Sequence, residues 1–153
     1  MLKLQPIEFI LRALPESFLV IFAVYIFSKA EIDKKKYLIT SIVFALIIYF
    51  TRMLPINYGV HMILSVLILL FIVIYYNKIE VINGIKSIIF IYLIQLISEL
   101  INVLILNIFN FDLEVLLVDP IYKTILGLPS LITTGVIVTT FYILGKNKKG
   151  LFK

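Results

Sequence analysis

Long apolar runs recur along the whole of this chain, and no stretch between them is long enough to fold by itself. Runs of this kind have few physical solutions. A helix rises about 1.5 Å per residue and a bilayer core is about 30 Å thick, so about 20 apolar residues cross it. Inside lipid every backbone N–H and C=O has to be satisfied internally, and a helix does this within one segment. Five segments read as spans: residues 7–28, 37–54, 60–76, 85–109 and 121–144. The expected fold class is all-α: a polytopic membrane protein of five transmembrane helices, one helical domain over residues 1–153. Composition agrees. The chain is 62% hydrophobic with a mean hydropathy of +1.13, where soluble domains run about 45–50% apolar. The first run lacks a basic leader and a small-residue cleavage site, so no cleavable signal is expected. Abundant Ile, Lys and Asn fit an AT-rich bacterial genome, and with the apolar runs the expected location is the bacterial cell (cytoplasmic) membrane.

Charge placement sets the expected topology. Lys29, Lys34, Lys35 and Lys36 follow the first span, Lys78 and Lys86 flank the next loop on that side, and Lys146, Lys148, Lys149 and Lys153 follow the last span. The other side holds few basic residues and the acidic loop with Asp112, Glu114 and Asp119. Positively charged loops stay cytoplasmic. The amino terminus is therefore expected outside and the carboxyl terminus inside. The net charge of +5 follows from this placement, so no nucleic-acid partner is expected.

Against this apolar background the ionisable residues stand out. Glu8, Arg12 and Glu16 are four apart, which on an α-helix makes one stripe with Arg12 between two carboxylates. Gln95, Glu99 and Asn102 share a helix face at i, i+4, i+7. With Arg52 and His61, the topology puts all of these in the outer half of the membrane. Three Leu-Pro pairs, Leu14–Pro15, Leu54–Pro55 and Leu128–Pro129, fall at the same level. Pro15 predicts a kink, and Gly127-Leu128-Pro129 predicts a break in the fifth segment. The Tyr and Phe residues read as lipid-facing or interfacial. Two readings of the polar set stand side by side: structural pairing between helices, or a ligand-contacting cup of Glu8, Arg12, Glu16, Arg52, His61, Glu99 and Asn102. Intramembrane ionisable residues are functional by default, which favours the cup. A ligand carboxylate would suit its two arginines.

Other classes find little support. Cysteine is absent and there is one histidine, which excludes thiolate metal sites, disulfides and a Cys nucleophile. No metal site, cofactor or enzymatic activity is expected, since no HExxH, nucleophile–base pair or nucleotide motif occurs.

Three stretches resemble a known family. Gln5-Pro6-Ile7-Glu8-Phe9-Ile10-Leu11-Arg12, then Arg52-Met53-Leu54-Pro55 with Tyr58-Gly59-Val60-His61, then Asp119-Pro120 and Gly127-Leu128-Pro129-Ser130 are similar to the amino-terminal membrane modules of accessory-gene-regulator-type (Agr-type) sensor histidine kinases. The resemblance implies a module that receives an extracellular peptide signal. This chain carries no phosphoacceptor-histidine region and no ATP-binding motif, so action through a partner is expected. The functional expectation is a non-enzymatic sensor or regulatory module that binds a peptide or small molecule and signals through a protein partner or homo-oligomer. A substrate-binding transporter subunit and a small pore-forming or structural protein are the alternatives.

Overall fold

A computed structural model of the chain describes residues 6–53, 58–109 and 120–150. All regular structure among them is helical. The first helix, α1, runs in three consecutive pieces: α-helical Pro6–Glu8, a π-helical turn at Phe9–Ala13, and α-helical Leu14–Ser28. The others are α2 (Lys34–Met53), α3 (Tyr58–Tyr75), α4 (Val81–Ile108) and α5 (Pro120–Gly150). Four segments are long and apolar enough to cross a membrane: Phe9–Ser28, Lys34–Met53, Val81–Ile108 and Thr124–Gly145. Val60–Tyr75 is a shorter apolar helix. The 18 residues of α3 rise about 27 Å, just under the thickness of a bilayer core. The Leu54–Pro55 pair, the turn after it and the acidic loop at 110–119 lie outside the described residues.

Helix ends differ from the expected spans for local reasons. Helix α2 starts at Lys34 because Asp33 caps it: Asp33 Oδ1 accepts from the N–H groups of Lys35 (3.0 Å) and Lys36 (3.4 Å). The carboxylate offsets three lysines at the positive end of the helix dipole. Helix α4 starts at Val81 rather than Ile85, with Gly84 N–H bonded to Glu80 O at 2.8 Å. Helix α1 ends with Lys29 in the left-handed region (φ 55°), where Lys29 N–H bonds Ile26 O and Ala30 N–H bonds Tyr25 O. That pair of bonds is a Schellman stop. Lys78 closes the turn after α3 in the same conformation (φ 56°). A residue with a Cβ costs about 1–2 kcal/mol there.

The two prolines inside helices act differently. Pro15 has no N–H to give Leu11 O, and its ring crowds that carbonyl. The helix widens into a π turn just before it, with Leu14 N–H bonded five residues back to Phe9 O. At Pro129 the expected break does not occur: α5 runs through it from Pro120 to Gly150. The missing N–H is the one that would bond Ile125 O, and the two carbonyls after it carry side-chain bonds. Asn102 Nδ2 donates to Leu126 O at 2.7 Å, and Ser130 Oγ donates to Gly127 O at 2.8 Å. These bonds brace the turn before the proline and tie it to α4.

Helix α1 is the centre of the bundle and packs on α2, α4 and α5. Its neighbours α2 and α4 also flank α3. Ala13, Ser17, Val20, Ile21, Ala23 and Val24 are buried on it at 3% exposure or less. The small residues among them let helices approach closely, which drives association where lipid is as apolar as the protein. Aromatic rings expected to face lipid also lock the bundle. Phe27, Phe90 and Phe141 join α1, α4 and α5 with centroids 4.7–5.9 Å apart, and Phe9 meets Tyr49 at 5.1 Å across α1 and α2. Phe44 is buried at 1% exposure. Edge-to-face pairs at these spacings add to plain packing.

Candidate functional site

The polar residues of α1, α4 and α5 meet at the end of the bundle that holds the amino terminus of α1. Arg12 lies in the π turn of α1, and its Nη2 donates to Glu99 Oε1 of α4 at 3.2 Å. One α-helical turn further along α1, Glu16 Oε1 accepts from Gln95 Nε2 at 3.0 Å. The spacings explain the double rung. Arg12 and Glu16 are four apart on one helix, Gln95 and Glu99 four apart on the antiparallel one, so both pairs face each other in register.

The stripe expected within α1 is rearranged. A π turn stacks residues five apart, so Glu8 and Arg12 no longer align as i and i+4. Arg12 pairs across helices instead, with Glu99. Glu8 is itself buried, at 7% exposure.

Helix α5 supplies the floor. A Cβ added at Gly127 would stand 2.7 Å from Arg12 Nη1 and 3.0 Å from Cζ. The guanidinium therefore rests on bare backbone, which only glycine allows at this distance. Ser130, Leu131 and Thr134 continue the wall, and with Arg12, Glu16, Gln95 and Glu99 they line one shared space. That space gives a water centre about 10 Å³, room for about one molecule. Asn102 is fixed by its bond to Leu126 O, which leaves Oδ1 buried with no partner among the described residues. Ser98 Oγ, on the same buried face, is in the same position.

Not all of the expected cup assembles. Arg52 is half-buried in the last turn of α2 and does not line the space. His61 lies in the first turns of α3, with Nδ1 buried and unpartnered among the described residues. A two-arginine anchor is thus not formed in this arrangement. Conversely, Gln95, Gly127, Ser130 and Thr134 belong to the site. The last three sit at i, i+3 and i+7, a helical face that is legible only once α5 is known to continue through Pro129.

Chemically, the arrangement is a partly exposed ion pair. Glu99 offers one oxygen at 3.2 Å, and its side chain is 58% exposed against 27% for Arg12. A guanidinium with unused N–H donors can take a second anionic or carbonyl oxygen. Among the described residues, no group of three His, Cys, Asp or Glu side chains is placed to hold a metal ion. No protein-family model, curated protein or solved structure matches the chain.

Proposed function

We propose that this chain is a non-enzymatic, multi-pass membrane sensor module that takes an extracytoplasmic ligand at the Arg12–Glu99 cluster and signals through a partner protein. In this reading all five helices cross the bacterial cytoplasmic membrane, with the amino terminus outside. The observation that carries it is the seat of Arg12. A π turn presents the side chain, a glycine of a third helix gives it room, and a half-exposed carboxylate holds it by a single bond. A structural pair needs no such exposure of its acid.

The mechanism is a competition. With space for about one water, the cluster admits a ligand by giving up the Glu99 contact. A ligand carboxylate or carbonyl on Arg12 frees Glu99, and α4 is then no longer tied to α1 at that end. The ligand shifts the bundle only by its preference for the untied state. Basic inner loops and the tail are the surface a partner would read. The resemblance to Agr-type sensor modules supports the same reading.

Sensing is favoured over transport by the packing beneath the cluster. Val20, Ile21, Val24, Phe44 and Ile91 are each 2% exposed or less and separate the polar groups at the two ends. The topology is testable cleanly, because the chain has no cysteine of its own. In intact cells, Met53→Cys is expected to react with a membrane-impermeant maleimide and Asn147→Cys to stay unlabelled until the membrane is opened. Labelling of Asn147→Cys alone from outside would invert the topology and remove the extracytoplasmic site.

A further inference from the structure

The space walled by α1, α4 and α5 has a chemical bias that the Arg12–Glu99 pair does not use. Two of its wall side chains are hydroxyls whose single proton is already placed. Ser130 Oγ donates to Gly127 O at 2.8 Å, and Thr134 Oγ1 donates to Ser130 O at 2.9 Å. Both residues are buried, at 6% and 2% exposure, and both line the space. Toward it their oxygens can only accept. Gln95 Nε2 is turned to Glu16 Oε1 at 3.0 Å. That partner is a neutral amide, so the bond leaves the charge of Glu16 uncompensated.

Charge is biased the same way. Among the described residues the lining holds one guanidinium against two carboxylates, Glu16 and Glu99. In formal charge it is short of one cation. Inside a membrane bundle an uncompensated charge is costly. A ligand that brought only an anionic oxygen to Arg12 would displace Glu99 and deepen the shortage. Size is the third constraint. The space gives a water centre about 10 Å³, and a primary ammonium head takes about the room of one water.

We infer that the ligand of this site carries a free primary ammonium beside a carbonyl, the group found at the amino end of a peptide. The inference rests on the receptor reading above and names the chemistry which that reading leaves open. The carbonyl oxygen of the ligand takes Arg12 and releases Glu99. Its ammonium enters the space and brings three N–H donors. Glu99, Glu16 and the Thr134 hydroxyl are the acceptors that line its path. Every charge is then compensated, with two cations against two carboxylates. An inorganic cation would answer the charge but not Arg12, because it offers a guanidinium nothing to bond.

Equilibrium dialysis of the full chain in neutral detergent against radiolabelled alanyl-alaninamide tests this. The free-amine dipeptide is expected to bind the wild type, and N-acetyl-alanyl-alaninamide to compete roughly tenfold more weakly or worse. Glu16→Gln and Thr134→Val each keep the shape of the side chain and remove one acceptor. Each is expected to weaken binding roughly tenfold, with the helical fold checked by circular dichroism. Exchange of sodium for choline in the buffer is expected to leave binding unchanged. Equal binding of free and acetylated peptide, lost in Arg12→Ala, overturns the ammonium while the receptor reading stands. Wild-type binding in both Glu16→Gln and Thr134→Val overturns it too, as does displacement of the dipeptide by sodium, which would mean an inorganic cation site. Failure of the wild type to bind either peptide also overturns the ammonium, and a ligand retained in native mass spectrometry then decides the receptor reading by itself.

Discussion

Arg12→Leu is expected to destabilise the detergent-solubilised chain by about 1–3 kcal/mol, less than the loss of a fully buried pair and more than that of a surface one. Two contributions add. Glu99 loses its counter-charge, and the guanidinium no longer fills the space over Gly127. For a chain of this size that is a fall in Tm of several degrees, read by circular dichroism because tryptophan is absent. Glu99→Gln in the Arg12→Leu background is expected to recover part of the loss, since an amide needs no cation. Glu16→Gln is expected to recover none, because Glu16 is bonded to Gln95. Wild-type melting of Arg12→Leu, or rescue by Glu16→Gln instead, would refute the cross-helix pairing.

Gly127→Val is expected to cost a similar amount, about 1–3 kcal/mol, for a different reason. Its Cβ alone falls 2.7 Å from Arg12 Nη1. The guanidinium ends a flexible side chain and can swing aside, but in doing so it leaves Glu99. The substitution therefore breaks an ion pair it does not belong to. Coupling distinguishes this from plain overpacking. In the Arg12→Leu background, where there is no guanidinium to displace, Gly127→Val is expected to cost clearly less than in wild type. Equal costs in both backgrounds would mean that Gly127 serves only close helix packing.

The apolar runs made the helical architecture legible, because length and composition alone decide whether a segment can lie in lipid. What the runs hid were the ends. Lys34, Lys35 and Lys36 read as loop because they are charged, yet Asp33 caps them into the first turn of α2. The site was half legible. Gln95, Glu99 and Asn102 reach α1 and α5 from the single face that their spacing predicts. Arg12 and Glu16 stood in the same expected cup, but which carboxylate Arg12 takes and the wall that α5 supplies were not legible, for two reasons of backbone geometry. Spacing rules assume 3.6 residues per turn, and Pro15 replaces that with a π turn just where Arg12 sits. A proline inside a helix reads as a stop, and Pro129 is not one: α5 runs through it, with Asn102 and Ser130 bonded to carbonyls of the turn before it. Phe27, Phe90 and Phe141 show a third limit: in a membrane chain, hydrophobicity does not separate rings that face lipid from rings that lock helices.

Native mass spectrometry of the chain, purified in mild detergent from the membranes in which it is made, tests the central claim most directly. A small molecule or peptide retained by the wild type and lost in Arg12→Ala is the predicted result. A wild-type spectrum free of ligand, or a ligand retained equally by Arg12→Ala, would contradict a receptor site at Arg12 and leave the cluster as a structural tie between α1 and α4.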